Sequence, residues 1–204
     1  MKKVIIAGVV VMAGILVFFF IFSRSQNITN YPNDGKTIVA FGDSLVEGVG
    51  ATPGNNFPAL LSKKIRKPIL NMGVPGDTST DGLNRIDQVI RQDPKIVLVL
   101  LGGNDFLRKV PIAETFKNID DIVVELQKSG AVVVLLGIKG GLFGDQYKDY
   151  FEEIAEKRGA LYVPNVLSGL LGKNEFMSDA IHPNDAGYKK IADKIYPVLQ
   201  KVLE

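Results

Sequence analysis

The 204-residue sequence contains no cysteine and only one histidine. The lack of cysteine excludes disulfide bonds, catalysis by a thiolate and a lipid-modified N-terminal cysteine. A single histidine without cysteine does not supply the usual ligands of a dedicated zinc site, and no Walker-type phosphate loop is present. The composition therefore predicts a protein that works without a metal ion or an organic cofactor.

A strong net charge is also missing. The chain has 24 basic and 22 acidic residues, and three of the basic residues but none of the acidic ones lie within residues 1–24. The remainder has 21 basic and 22 acidic residues, which is a net charge of −1. This balance gives no reason to expect nucleic acid as a partner.

One long apolar run is present, because residues 4–22 contain no charged side chain. As a helix this run is roughly 28 Å long, close to the ~30 Å thickness of the hydrocarbon core of a bilayer. Lys2 and Lys3 precede it and only Arg24 follows closely, which predicts a cytoplasmic N-terminus. We therefore expect residues 1–24 to be an uncleaved single-pass membrane anchor, with the following chain periplasmic or extracellular.

Two alternatives remain for this segment. A cleaved signal peptide, which would give a secreted protein, usually has an apolar region of about 7–15 residues and a cleavage site with two small residues. The nearest small-x-small pattern is Ser23-Arg24-Ser25, whose central residue is unfavourable. A helix buried inside a domain would need apolar neighbours on every side.

Residues 25–35 are polar and rich in Asn, Pro and Gly, which predicts a short tether, and residues 36–204 suit a single domain. In that domain short apolar runs alternate with helix-like patterns. The predicted strands are 37–41, 68–72, 96–101, 131–137 and 160–163, and the predicted helices are 57–65, 80–92, 112–129, 147–158 and 185 to the C-terminus. The runs are continuously apolar, as in parallel strands covered on both faces. This order predicts an α/β fold with three α/β/α layers around a five-stranded parallel sheet.

Four polar turns lie where ligands bind in such sheets, beyond the carboxyl ends of the strands. They are GDSL at 42–45, GDTS at 76–79, GGND at 102–105 and DAIHPN at 179–184, and the last contains the only histidine, His182. Each turn alone is a weak signal. Together they predict one functional site.

The order and spacing of these four blocks resemble the GDSL, or SGNH, hydrolase family, and within it the small bacterial thioesterase and lysophospholipase-like branch. The resemblance begins at about residue 36 and continues to the C-terminus. It implies a flavodoxin-like fold of the SGNH type and a serine hydrolase that acts on ester bonds. The Gly-x-Ser-x-Gly nucleophile elbow of the α/β-hydrolases is absent, because Val46 occupies the place of its last glycine.

The resemblance also implies the roles of individual residues. Ser44 would be the nucleophile, His182 its general base, and Asp179 the residue that orients the imidazole. The backbone N–H groups of Ser44 and Gly76 and the side-chain amide of Asn104 would form the oxyanion hole. Simpler roles remain open, since Ser44 suits a helix N-cap, Asp179 a loop or cap, and Asn104 a turn.

The expected activity is hydrolysis of a carboxylic ester or thioester, with a small-molecule or lipid-like ester as substrate. The alternatives are a carbohydrate O-deacetylase acting on envelope polysaccharide and a catalytically silent binding domain of the envelope. Leu142 and Phe143, in the glycine-rich loop 137–147, either line an acyl groove or pack that loop. We expect a monomer whose other partner is the membrane, through the N-terminal helix.

Overall fold

The computed structural model describes residues 27–139 and 145–203. Its sheet consists of β1 (Thr37–Gly42), β2 (Ile69–Gly73), β3 (Pro94–Leu100), β4 (Val132–Leu136) and β5 (Leu161–Val163). All the pairings are parallel, and the order across the sheet is β2-β1-β3-β4-β5. The predicted five-stranded parallel sheet is thus confirmed, with each strand starting and ending within two residues of its predicted bounds.

The strands owe their position in the core to uninterrupted apolar sequence. Every residue of β4 is buried, as are six of the seven in β3. Successive side chains of a strand point to opposite faces, so burial of consecutive residues shows that both faces are covered. The edge strand β2 is different, because Leu70 and Asn71 are exposed. The prediction of complete cover was wrong for this strand, which has a neighbour on one side only and lies at the margin of the sheet.

Helices cover the sheet in two groups. They are α1 (Ser44–Glu47), α2 (Phe57–Ile65), α3 (Ser79–Asn84), α4 (Ile86–Ile90), α5 (Gly103–Leu107), α6 (Ile112–Lys128), α7 (Lys148–Arg158) and α8 (Asp185–Leu199), followed by a 3-10 turn at Gln200–Val202. Helix α2 contacts α8, whereas α3, α4 and α7 all contact α6. These groups form the outer layers of an α/β/α arrangement.

Helix α6 shows how sequence spacing produces this packing. Phe116, Ile119, Val123 and Leu126 recur at steps of three or four residues, and all four are buried. Side chains at these steps lie along one face of a helix. Ile112, in the first turn, is only partly buried.

The predicted helix 80–92 is in fact two short helices, α3 and α4, which meet at Arg85. Thr78 begins α3 with a capping box in which its side chain and that of Asp81 each accept from the other residue's backbone N–H. The chain leaves the helical conformation at Arg85, where φ is −113° and ψ is 12°. Helices α1 and α5 were not predicted, because four or five residues are too few to show a helical period.

The first described residues contact the sheet at the amino ends of its strands, opposite to the ends that carry the polar turns. Within residues 27–35, the described part of the predicted tether, the Asn30 amide donates to the carbonyl of Ala131, which directly precedes β4. Asn33 donates to the carbonyl of Lys95 near the start of β3. The predicted anchor, residues 1–24, lies outside the described residues. Within 27–139 and 145–203, no helix has the length and apolar character needed to cross a bilayer.

Candidate active site

Ser44 lies just beyond the carboxyl end of β1, which runs between β2 and β3 in the sheet. The strand ends at Gly42, where a Cβ would collide with the carbonyl oxygen of Leu100 on β3. The side chain of Asp43 then accepts from Leu45 N–H at 2.9 Å and caps α1. This tight strand-to-helix turn leaves Ser44 as the first residue of α1, partly exposed at the edge of the sheet.

Asp179 and His182 are fixed by a compact loop ahead of α8. One carboxylate oxygen of Asp179 accepts from the backbone N–H groups of Ile181 and His182, at 2.8 and 2.7 Å. An isolated antiparallel bridge between Met177 and Pro183 closes the base of the loop. These bonds hold the carboxylate of Asp179 against the imidazole of His182, which lies three residues further along the chain.

The three side chains form one hydrogen-bonded series. The second carboxylate oxygen of Asp179 lies 2.7 Å from Nδ1 of His182, and Nε2 of His182 lies 3.1 Å from Oγ of Ser44. The hydrogen bond from His182, together with the two backbone N–H groups, lowers the pKa of Asp179 to about 2. Because an ionised carboxylate only accepts, Nδ1–H donates to it and Nε2 accepts from the serine hydroxyl. The structure thus joins residues that are 138 positions apart in the sequence.

Gly76 is the third residue of a type II turn at 74–77. Asp77 N–H donates to the carbonyl of Val74, Pro75 is the second residue, and Gly76 has a φ of 89°. A side chain is disfavoured in this left-handed conformation. Within the described chain, the N–H of Gly76 donates to no protein acceptor, so it is available to a ligand.

Asn104 lies at the carboxyl end of β3, in the first turn of α5. One N–H of its side-chain amide donates to the backbone carbonyl of Asp77 at 2.9 Å. That bond orients the amide and leaves its second N–H uncommitted. Asn104 and Gly76 are therefore linked through Asp77, the residue that follows Gly76.

Three acidic residues of the polar turns hold the loops together. Asp105 accepts from both the N–H and the hydroxyl of Ser79 and is fully buried. Asp77 pairs with Arg85 at 2.6 Å. Asp43 is only 3% exposed, and burial raises its pKa to about 7.

Ser44, Asn104, Asp179 and His182 line one cavity of about 900 Å³. Gly76 does not line it, and its turn is linked to the cavity through the bond from Asn104 to the carbonyl of Asp77. Apart from these polar groups the walls are largely apolar, with exposed side chains at its rim from Phe106, Leu107, Leu171 and Ile181. These four could not be predicted from the sequence, because the five-residue helix α5 and the irregular turns are too short to show a hydrophobic period. Leu142 and Phe143, the predicted candidates for an acyl groove, lie outside the described residues.

Within residues 27–139 and 145–203, no cluster of His, Cys, Asp or Glu side chains has the arrangement of a metal site. The buried acids are engaged with Leu45, Arg85 and Ser79 instead. The groups that face Ser44 are those of proton transfer and of hydrogen bonding to an anion.

Known proteins share this architecture. The model of the GDSL-like Lipase/Acylhydrolase family matches residues 40–190. The Esterase TesA of Pseudomonas aeruginosa is 30% identical over 181 residues, which cover 82% of this chain and 90% of that protein. Thioesterase 1/protease 1/lysophospholipase L1 of Escherichia coli K12 is 29% identical over 176 residues, which cover 82% and 85%. The crystal structure of TesA has a TM-score of 0.77 at 29% identity, over 82% of this chain and 100% of that one.

The parallel sheet and the groups at its carboxyl edge define a hydrolase of the α/β/α class. The chain belongs to the GDSL-like lipase/acylhydrolase family, the SGNH hydrolases, as its four sequence blocks indicated. It is an enzyme of the GDSL/SGNH esterase type.

Proposed function

We propose that this enzyme hydrolyses carboxylic esters or thioesters through an acyl-enzyme formed on Ser44. The observation that carries the proposal is the series Asp179–His182–Ser44, with separations of 2.7 and 3.1 Å. A serine hydroxyl becomes a strong nucleophile when an oriented imidazole removes its proton as it attacks. The ionised Asp179 holds the imidazole in the tautomer that this requires.

The proposed reaction has two halves. His182 takes the hydroxyl proton while Oγ of Ser44 attacks the carbonyl carbon, and the resulting oxyanion accepts hydrogen bonds from Ser44 N–H, Gly76 N–H and the Asn104 amide. His182 then protonates the leaving alcohol or thiol as the bond to it breaks. In the second half, His182 takes a proton from water as the water attacks the acyl-enzyme. It then gives that proton to Oγ of Ser44 as the bond to the acyl group breaks, which releases the acid and restores the serine hydroxyl.

The walls of the cavity favour an apolar acyl group as the substrate's acid part. Leu107 and Leu171 are about half exposed at its rim, and burying an apolar side chain against an acyl chain is favourable by about 25 cal/mol per Å². Relatives carry the names esterase, thioesterase and lysophospholipase, which agree with such a substrate.

We further propose that residues 1–24 anchor the enzyme in a membrane and that its domain lies outside the cytoplasm. The uncharged run at 4–22 and the flanking Lys2 and Lys3 support this. The bonds of Asn30 and Asn33 to the opposite edge of the sheet would direct the cavity away from the anchoring bilayer. Protease added to spheroplasts should degrade the domain while cytoplasmic proteins stay intact. Protection of the domain from the protease would contradict the proposal.

The test of the activity compares the full-length chain in detergent with its Ser44→Ala variant, using p-nitrophenyl esters. Loss of a triad serine is expected to reduce kcat/KM on the order of 10³-fold or more. Ser62→Ala is the matched control, because this partly exposed serine lies on α2 and donates to the carbonyl of Lys67, away from the cavity. Equal rates for wild type and Ser44→Ala would refute the mechanism.

A further inference from the structure

Arg85 is an almost buried cation that lies outside the cavity but touches the elements that build it. Its side chain is only 13% exposed and makes two hydrogen bonds to different segments. Nε donates to a carboxylate oxygen of Asp77 at 2.6 Å, and Nη2 donates to the backbone carbonyl of Gly42 at 2.8 Å. The guanidinium also lies 4.3 Å from the centre of the Phe41 ring, which adds a cation–π contact.

The two acceptors of Arg85 belong to the two halves of the site. Gly42 ends β1, two residues before the nucleophile Ser44. Asp77 follows Gly76 directly, and its carbonyl accepts from Asn104. One guanidinium therefore sets the distance between the strand that carries Ser44 and the turn that carries Gly76. Because Asn104 donates to the carbonyl of Asp77, the same guanidinium also helps to fix the position of the Asn104 amide.

This geometry depends on the chemistry of arginine. A guanidinium is planar, and its donors have a fixed spacing, so bonds from two of its nitrogens hold two acceptors in a set relation. A lysine ammonium keeps the charge but is a single point with freely rotating donors. The break between α3 and α4 at Arg85 gives this residue a backbone conformation outside both helices, at the point from which it reaches β1 and the turn.

We propose that Arg85 is a positioning residue that holds the oxyanion-hole donors in register with Ser44. This inference rests on the proposed function, because it assigns Gly76 and Asn104 to the oxyanion. Such donors act more strongly on the transition state than on the bound ester, so misplacing them lowers kcat and leaves KM nearly unchanged. Arg85 does not line the cavity and needs no contact with the substrate.

The first experiment measures kcat and KM of Arg85→Lys in the full-length chain, together with its melting temperature. We expect kcat to fall about 10- to 100-fold, with KM changed by less than about twofold, because small misplacements of catalytic groups are costly. Arg158→Lys is the matched control. Arg158, like Arg85, donates from Nε and Nη2, but both of its bonds, at 2.6 and 2.7 Å, go to Asp120 on α6, away from the cavity.

The second experiment is a double-mutant cycle with Asn104→Ala. If Arg85 acts through the oxyanion donors, Arg85→Lys lowers kcat much less in the Asn104→Ala background than in the wild type. The fold-losses in kcat of the two single variants then multiply to more than the loss in the double variant. Fully multiplicative losses, equal changes in kcat and KM, or wild-type kinetics for Arg85→Lys would overturn the inference. Should Arg85→Lys fail to fold, Asp77→Asn is subjected to the same cycle, because it keeps the backbone carbonyl and weakens only the ion pair.

Failure of the proposed function would give a different set of rates. In that case Ser44→Ala and Asn104→Ala would hydrolyse the ester as fast as the wild type. Failure of the positioning role alone leaves those two variants impaired and Arg85→Lys unaffected.

Discussion

Asp43 is a buried aspartate whose pKa lies far above its ordinary value. The residue is 3% exposed, and its carboxyl lies near Asp77 and Asp105. Burial is the largest cause of the rise in its pKa to about 7, and the two acids add to it. The hydrogen bond from Leu45 and the proximity of His182 oppose the rise without cancelling it.

The raised pKa of Asp43 makes stability depend on pH. An unfolded aspartate titrates near pH 3.9, so between about pH 4 and 7 the unfolded chain loses a proton that the folded chain keeps. The free energy of unfolding contributed by this group therefore falls as pH rises through that window, by a few kcal/mol in total.

Replacing Asp43 by Asn should remove this cost, since an amide does not ionise and its oxygen still accepts from Leu45. We expect the stability of Asp43→Asn relative to the wild type to rise by a few kcal/mol between pH 4 and pH 8. Urea unfolding of both proteins at both pH values measures this change. Any effect of the substitution on the free energy of unfolding that does not depend on pH cancels when the two pH values are compared. A stability difference that is the same at both values would contradict the pH assignment.

Among the turns and short helices, the type II turn at 74–77 shows how backbone conformation serves the site. Its glycine has a φ of 89°, and its N–H has no protein acceptor within the described residues. Arg108 donates to the carbonyl of Gly76 at 2.8 Å and so holds the next peptide of the turn, between Gly76 and Asp77. The turn is thus braced while its donor stays available.

Gly76→Ala should fold but lose activity. A Cβ there meets only Arg108 Nη2 at 3.4 Å, and that side chain can move, but the left-handed conformation becomes strained. Relief of the strain tilts the N–H, so we expect kcat to fall about 10- to 100-fold, with a drop of a few degrees in melting temperature.

The control is Gly169→Ala, which introduces similar strain at a φ of 76° with nothing within 4 Å of the new Cβ. Gly169 does not line the cavity, so this variant should lose stability without losing kcat. Comparable losses of kcat in both variants would remove the special role of Gly76.

At the scale of the whole domain, the two ends of the sheet's strands carry different groups. The carboxyl ends of the strands carry the Asp179–His182–Ser44 series and the apolar rim, while residues 27–35 bind near the amino ends of the strands. Substrate therefore reaches Ser44 from the side of the domain that lies away from its first described residues.

The apolar rim predicts a preference for longer acyl chains, which Leu171→Asp should reduce. Loss of one leucine contact of about 1.5–3 kcal/mol corresponds to roughly a 10- to 100-fold fall in kcat/KM. We expect that fall for p-nitrophenyl octanoate and little change for the acetate ester. Leu70→Asp is the control, because Leu70 is similarly exposed, at 38% against 45%, but lies outside the cavity on β2. An equal loss on both esters, or an acetate preference in the wild type, would favour the O-deacetylase alternative instead.

Much of this architecture could be predicted from the sequence, because the strands are continuous apolar runs and the long helices have apolar residues at helical spacing. The four polar blocks marked the ends of elements, so Ser44 and His182 were assigned to one edge of the sheet. Arg85 was missed because an arginine in an amphipathic pattern ordinarily faces solvent. The apolar rim was missed because Phe106 and Leu171 lie in short or irregular segments, where only the fold decides which side chains meet.

The most direct test of the central claim is covalent labelling of the full-length chain with a fluorophosphonate, followed by mass spectrometry of its peptides. Phosphonylation requires an activated serine, so the probe mass should appear on the peptide containing Ser44. Labelling should slow strongly in His182→Ala and disappear in Ser44→Ala. A folded wild type that stays unlabelled, or that carries the label on another residue, would contradict the claim that Ser44 and His182 form the nucleophilic centre.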